Sequence, residues 1–209
     1  KDTAWNTNKT LDKSGNGNHG TMTNMSTTTA PVAGRIGQGL KFDGVDDTVN
    51  VGDPANGSLD FGTGDFAISV WIKFKGYVSQ GSTFNSAVGK ESTTNTGYGI
   101  ITDANNVIYF NALSDGSAAN MARTAANQND NKWHHYIGQR VSGLLTLYKD
   151  GVRQTDGSTQ SDSVSNTIPF QISNDANGNR VFNGLIDDVR VYNRALSASE
   201  IKRLYNMGR

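Results

Sequence analysis

The chain of 209 residues contains no cysteine, which excludes disulfides, thiolate metal sites and cysteine nucleophiles together. It has no excess of either charge, because Lys plus Arg and Asp plus Glu each number 19. It also has no run of roughly 18 apolar residues. We therefore expect neither nucleic acid nor a membrane among its partners. The chain begins at Lys1 without Met or an apolar signal core, which is typical of a mature or excised segment.

Turn-forming residues are abundant instead. The sequence contains 24 glycines and uses Asn, Ser and Thr heavily. This composition favours many short strands joined by tight turns and does not suit long helices. A chain of this length can bury one sizeable core, so we expect residues 1–209 to form a single domain.

Apolar or alternating runs recur between the turns. In Phe66–Phe74 every even-numbered position is apolar, which is the pattern of a strand with one buried face. Asp150-Gly151 predicts a type I′ hairpin turn, and Ser197 with Glu200 predicts a capped helix over Ser197–Met207. The other predicted strands are Gly39–Phe42, Asp47–Val51, Ser86–Lys90, Tyr98–Thr102, Val107–Ala112, Trp133–Val141, Leu144–Lys149, Phe170–Ser173 and Phe182–Tyr192. The irregular segment Thr21–Gly34 is predicted to be a surface loop.

Three segments, in a fixed order, carry a family resemblance. They are Leu11–Gly20, Gly37–Asp47 and Phe182–Ser197. Together they resemble the LamG-like (laminin G type 3) modules of the concanavalin A-like lectin/glucanase superfamily, over roughly Asp12 to Tyr205. The resemblance implies an all-β fold, a two-sheet antiparallel jelly-roll sandwich, commonly with a calcium ion. It also implies a secreted or cell-surface protein that binds glycans or other proteins, although a fold match does not name a ligand.

The resemblance implies a structural calcium at Asp187, since the corresponding Asp in the closing strand of related glucanases is a calcium ligand. Calcium takes about six to eight oxygen ligands, and Asp12, Asn16 and Asn18 offer side-chain oxygens in a glycine-rich loop. The first and last strands usually pair in this fold, so we expect the loop and Asp187 to meet. The alternative is that these side chains close turns by bonding to nearby backbone.

Asp43, Asp46 and Asp47 form a second acidic cluster. One interpretation is a second cation site. The favoured interpretation is a tight turn in which the Asp side chains accept hydrogen bonds from free backbone N–H groups.

An enzymatic function lacks its expected residues. Retaining glycosidases need two carboxyl groups across the scissile bond, and related laminarinase-like enzymes carry them as Glu-x-Asp-x-Glu on one strand. This sequence has two glutamates, Glu91 and Glu200. Glu91 has no acidic neighbour in the sequence, and Glu200 is explained as part of the helix cap. His134 and His135 follow Trp133 in a framework strand, where one is expected to be buried and the other to face solvent.

Candidate ligand contacts come from the variable middle of the chain. A sugar site combines aromatic rings with polar side chains that fix hydroxyl groups. The predicted ligand-binding residues are Tyr98, Tyr109, Asn111 and Arg123. The alternative is that they are ordinary surface residues of a sandwich.

The sequence thus predicts a non-catalytic, lectin-like module that binds a polysaccharide or glycan and contains a structural calcium. The alternative function is a protein-interaction or spacer domain of a surface adhesin. A polysaccharide-degrading enzyme is the third hypothesis, which the missing acidic motif disfavours.

Overall fold

The computed structural model describes residues 8–92, 97–113 and 120–209, with the backbone alone for Leu113. The strands are β1 (Lys9–Thr10), β2 (Gly20–Thr23), β3 (Pro31–Ala33), β4 (Gln38–Asp43), β5 (Thr48–Gly52), β6 (Phe66–Phe74), β7 (Phe84–Glu91), β8 (Gly97–Asp103), β9 (Ile108–Leu113), β10 (Ala122–Arg123), β11 (Trp133–Val141), β12 (Leu144–Lys149), β13 (Val152–Arg153), β14 (Phe170–Ile172) and β15 (Asn183–Tyr192). The helix α1 spans Ala198–Met207.

The strands form two antiparallel sheets. The eight-stranded sheet has the order β1-β2-β5-β14-β7-β8-β9-β10, and the seven-stranded sheet has the order β13-β12-β11-β6-β15-β4-β3. With the short helix at the C-terminal end, this architecture confirms the predicted all-β sandwich. Among the described residues, no helix is long and apolar enough to cross a membrane.

The main core lies between the sheets. Every even position of β6, from Phe66 to Phe74, is buried, as the alternation predicts. The facing sheet contributes Tyr98, Ile100 and Phe110, which belong to the same buried cluster. The two sheets approach so closely at Gly138 of β11 that a Cβ atom there would lie 2.1 Å from a ring carbon of Phe110. Glycine is therefore required at that point of the sheet.

The helix α1 covers the outer face of the seven-stranded sheet. Ser197 accepts from the Glu200 backbone and the Glu200 side chain bonds back to Ser197, which confirms the predicted capping box. Ile201 and Leu204 are buried in a second apolar cluster that also holds Ala67 of β6 and Ile137 of β11. Strand β6 is therefore buried on both faces, whereas its alternation indicated burial of one.

The predicted Thr21–Gly34 loop is wrong, because this segment contains most of β2 and all of β3. Both strands are short and lie towards sheet edges, where pairing with β5 and β4 stabilises them without a strong apolar pattern. The Asp150-Gly151 turn has the predicted positive φ angles, 52° and 78°. In the described ranges the first strand, β1, pairs with β2 in one sheet, while β15 pairs with β4 and β6 in the other.

Candidate functional site

On the outer face of the eight-stranded sheet, neighbouring positions of two strands are occupied by glycine. Gly89 of β7 and Gly99 of β8 are register partners, and the side chain of Glu91 lies beside Gly99. A Cβ atom on Gly99 would come within 3.3 Å of the Glu91 Cδ atom. The missing side chains leave room on this face for polar groups from other segments.

Four of these polar groups form a buried set that we call the sheet-face cluster: Glu91, Asn111, Asp175 and Arg180, each at most 2% exposed. Arg180 approaches both carboxylates, with its Nη1 atom 3.7 Å from Glu91 Oε2 and its Nε atom 4.0 Å from Asp175 Oδ2. Asn111 donates from Nδ2 to Glu91 Oε2 at 3.0 Å. Burial raises the pKa of the Glu91 carboxyl, and the charge of Arg180 opposes that shift.

Asp175 and Arg180 come from the segment that follows β14. Asn174 Oδ1 accepts from the Arg180 backbone N–H, and Asp175 Oδ1 accepts from that of Asn179, so side chains close this turn. Sequence reasoning missed both residues because nothing local links them to Glu91. Both carboxylates are closed to solvent, so this arrangement does not offer the open acid pair of a glycosidase.

Two of the four predicted ligand-binding residues are inaccessible, and the prediction is wrong for them. Tyr98 is fully buried in the main core and donates its hydroxyl hydrogen to the Leu59 carbonyl at 2.7 Å. Asn111 is fully buried in the sheet-face cluster. Tyr98 shares its strand parity with Ile100, while Gly97 and Gly99 take the outer positions, so the ring points inward.

The other two predicted residues lie together at the surface. Tyr109 and Arg123 are register partners on β9 and β10, where Tyr109 is half-buried and Arg123 exposed. Tyr109 donates its hydroxyl hydrogen to Asp103 Oδ2 at 3.0 Å, and its ring meets Phe84 edge-on at 5.7 Å. Burial and the Asp103 carboxylate raise the pKa of Tyr109 to about 12. The Tyr109 patch, defined as Tyr109, Arg123 and Asp103, therefore holds an aromatic ring in a fixed orientation beside a guanidinium.

The four predicted metal ligands line one cleft. This edge cleft, of about 1010 Å³, has walls from both sheets, and Asp12, Asn16, Asn18 and Asp187 all contribute to its lining. The loop and Asp187 therefore line the same cleft, but the expected pairing of the first and last strands is wrong, because β1 pairs with β2 and β15 pairs with β4 and β6. A register shift in β15 between Asp187 and Arg190 lets the two adjacent acids diverge.

The oxygens of these ligands already accept hydrogen bonds. Asp12 accepts from the backbone N–H of Ser14 at 2.8 Å and of Asn18 at 2.9 Å. Asp187 accepts from the backbone N–H of Ile36 at 2.6 Å and of Asp188 at 2.7 Å. These contacts are those of the turn-closing alternative. A carboxylate retains further lone pairs, so the donor types also fit a hard cation.

Asp188 and the second acidic cluster have other local partners. Asp188, at φ 48°, accepts from Arg190 Nε with both carboxylate oxygens. Asp43 accepts from the Val45 backbone N–H, and Asp47 accepts from that of Asp43. These hydrogen bonds are those of the tight turn favoured by the sequence. Carboxylate oxygens of Asp43, Asp46 and Asp47 also lie within 4.8 Å of one another, which is the arrangement that the alternative, a second cation site, requires.

Two antiparallel sheets packed face to face define the class of β-sandwich proteins. Within this class, the family model Laminin_G_3, described as the concanavalin A-like lectin/glucanases superfamily, matches residues 43–202. The chain belongs to this family. Among curated proteins it is similar to adhesion G-protein coupled receptor V1 of Danio rerio, with 29% identity over 152 residues, covering 68% of this chain and 2% of the receptor.

Solved structures with this fold include carbohydrate-related and toxin domains. Domain 4 of AbnA, a GH43 extracellular arabinanase from Geobacillus stearothermophilus in complex with arabinotriose, has a TM-score of 0.60 at 20% identity, over 89% of this chain and 87% of that one. The binding domain of Paraclostridial Mosquitocidal Protein 1 has a TM-score of 0.67 at 20% identity, over 85% of this chain and 46% of that one. The botulinum neurotoxin serotype G binding domain reaches 0.71 at 14% identity, over 94% and 48%. At these identities the similarity shows the fold, and this chain spans about half the length of the toxin domains.

Proposed function

We propose that this domain is a non-catalytic carbohydrate-binding module of a secreted or cell-surface protein, with the Tyr109 patch as its glycan site. The observation that carries the proposal is an accessible ring, fixed by Asp103 and Phe84, beside the exposed guanidinium of Arg123. A sugar can stack on such a ring while the guanidinium and carboxylate bond its hydroxyl groups.

The named similarities support a binding function. The arabinanase domain has arabinotriose bound and matches this chain over nearly its full length. A botulinum neurotoxin type C structure similar to this chain at 16% identity is described as interacting with two ganglioside molecules. A non-catalytic function is supported by the two glutamates, since Glu91 is buried beside Arg180 and Glu200 is bonded to Ser197 and Arg194.

A glycan array with wild-type protein tests the proposal, followed by titration of each hit against variants. Tyr109→Ala and Arg123→Ala should each weaken binding about tenfold or more, because rings and guanidinium groups dominate such contacts. Tyr109→Phe keeps the ring and should bind nearly as well. Lys202→Ala, at an exposed position on α1, is the matched control. Absence of binding across the array, or an affinity of Tyr109→Ala equal to that of the wild type, would contradict the proposed glycan site. Multiple-turnover release of reducing ends from a polysaccharide would contradict the non-catalytic function.

The second candidate function is protein interaction at a cell surface. It is favoured by the similarity to an adhesion receptor, and a related toxin domain is described in complex with rat synaptotagmin II. A negative glycan array together with saturable binding of the intact domain to protease-sensitive sites on cells would favour this function.

We also propose that the edge cleft binds a structural calcium through Asp12, Asn16, Asn18 and Asp187. Burial raises the pKa of Asp187, and a bound cation would favour its charged form. Because calcium would bind the folded chain and not the unfolded one, the Tm should rise with free calcium and fall in chelator. Asp187→Asn keeps an acceptor for Ile36 and should abolish the calcium response. Identical melting curves of the wild type in chelator and in calcium would leave these residues as turn-closing groups.

A further inference from the structure

We infer that a second sugar-binding site, for a neutral sugar residue, lies at one end of the sandwich, in an open pocket of about 600 Å³ between residues 60–65 and 193–195. We call it the end pocket. It shares no residue with the Tyr109 patch, and none of its lining residues was among the predicted ligand-binding residues. The inference shares with the proposed function the premise that this domain binds glycans.

Phe61 and Ala195 are the apolar side chains that line the end pocket. Phe61 is half-buried and stacks on Phe66 with ring centroids 4.7 Å apart and planes 7° from parallel. Tyr98 approaches the same ring at 5.2 Å. One face of Phe61 is therefore backed by the core, and the ring is fixed while it lines the pocket. The C–H face of a sugar ring can stack on such a surface.

Polar groups beside the ring suit hydroxyl groups. Asp65 uses Oδ1 to accept from the Ser142 backbone N–H at 2.7 Å, and Asp60 uses Oδ1 to accept from Lys90 at 2.5 Å. Among the described residues, the second carboxylate oxygen of each Asp has no hydrogen bond. These oxygens can accept from sugar hydroxyl groups, and the exposed amide of Asn193 can donate.

The charges of the end pocket select a neutral ligand. Two carboxylates line it, Asp60 and Asp65, and the lining cation Arg194 is paired with Glu200 at 2.7 and 3.1 Å. A uronate or sialate carboxylate would meet like charges, and none of the described lining residues offers it an unpaired cation. A neutral sugar meets acceptors for its hydroxyl groups instead.

Buried side chains hold the pocket segment in place. Arg140, fully buried, donates to the Gly62 carbonyl at 2.6 Å and to the Gly64 carbonyl at 2.9 Å. Lys90, also fully buried, donates to Asp60, and the Tyr98 hydroxyl donates to the Leu59 carbonyl. Core side chains thus fix an irregular segment before any ligand arrives, which lowers the ordering cost of binding. A purely structural role, closing the end of the sandwich, would account for the buried Lys90 and Arg140. It would not account for an aromatic ring and two unbonded carboxylate oxygens in the lining of an open pocket.

The experiment is an NMR titration of the isotope-labelled domain with two neutral probes, arabinotriose and cellotriose, and one acidic probe, trigalacturonic acid. We expect a neutral probe to shift the resonances of residues 60–65 and 193–195, and trigalacturonic acid to leave them unshifted. Phe61→Leu should weaken that binding about tenfold or more. Asp65→Asn keeps an acceptor for Ser142, and Asn193→Ala is at an exposed position, so both report on binding if Phe61→Leu folds poorly.

Tyr109→Ala separates this inference from the proposed function. If neutral probes shift the Tyr109 patch alone, the end pocket is wrong and the proposed function stands. If they shift the end pocket alone and Tyr109→Ala binds normally, the inference holds and the proposed location fails. Equal binding of trigalacturonic acid at the end pocket, unchanged affinity in Asp65→Asn and Asn193→Ala together, or no shift there with either neutral probe would overturn the inference.

Discussion

The two outer faces of the sandwich are closed in opposite ways. The face of the seven-stranded sheet lies under α1, where Ile201 and Leu204 pack on Ala67 and Ile137 in a small apolar cluster. The face of the eight-stranded sheet is filled by the sheet-face cluster, with two carboxylates around one guanidinium. At its rim the Tyr109 patch remains accessible.

The two faces therefore differ in the kind of interaction that covers them. Apolar burial under a helix is non-directional. A buried ionic cluster contributes less net stability, because each charge loses its hydration, but it fixes the positions of the groups around it. On the polar face, hydrogen bonds and charges thus hold side chains in defined positions.

The largest expected effect is on the polar face. Arg180→Met would leave Glu91 and Asp175 buried without the guanidinium, which should lower the free energy of unfolding by about 3–5 kcal/mol. Urea-induced unfolding of the wild type and the variant measures this difference in the free energy of unfolding. The same change at Arg153, whose pair with Asp156 is exposed, should cost at most about 1 kcal/mol. Equal effects at the two positions would show that the sheet-face cluster contributes no more than a surface pair.

On the helix-covered face, Leu204→Ala should lower the free energy of unfolding by about 2–5 kcal/mol, since a buried Leu side chain leaves a cavity. Lys202→Ala, exposed on the same helix, should change it by about 0.5 kcal/mol at most. If Leu204→Ala behaved like its control, α1 would not be packed on the sheet in solution.

A smaller effect is expected at the start of α1. Ser197→Ala removes the side-chain acceptor of the capping box and should cost about 1 kcal/mol. Ser197→Asp retains an acceptor and should restore most of the loss. An Ala variant as stable as the wild type would mean that packing alone fixes the helix start.

The smallest effect concerns the neighbouring histidines at the end of β11. A hydrogen bond to Asp150 raises the pKa of His134; Asp130 acts in the same direction, and partial burial and Lys149 act against it. Burial lowers the pKa of His135 to about 4. A histidine whose pKa is higher in the folded state than in the unfolded state stabilises the fold when it is protonated. This contribution is complete below the unfolded pKa of about 6.5, and it is lost as the pH rises through the folded pKa. The stability difference between wild type and His134→Asn should therefore be larger near about pH 5.5 than near about pH 9. An NMR titration in which His135 titrates above His134 would reverse this assignment.

Long strands were predictable because their own pattern specifies them. The bounds of Phe66–Phe74, Trp133–Val141 and Leu144–Lys149 agree with the structure. The two-residue strands β1, β10 and β13 were not predicted, because pairing with a neighbour defines them rather than a periodic sequence.

Site prediction failed where the signal was non-local. Tyr109 and Arg123 are accessible as expected, and the parity of Tyr98 with Ile100 would have shown that Tyr98 points inward. The approach of Arg180 to Glu91 has no sequence signature, since turn chemistry around Asn174 positions the guanidinium. The end pocket was missed for the same reason, because two distant segments form it.

The pairing of β4 with β15 has a kinetic consequence. Asn183 is the register partner of Asp43, and in the other sheet Ile172 of β14 is the partner of Val49. Each pairing closes a loop that contains most of the chain. The conformational entropy of that loop is lost before the strand pairing can contribute favourable contacts. Two-state proteins dominated by such contacts fold in milliseconds to seconds. On a ribosome, neither sheet can be completed until the last strands have emerged, so the nascent chain exposes unpaired strand edges for most of its synthesis.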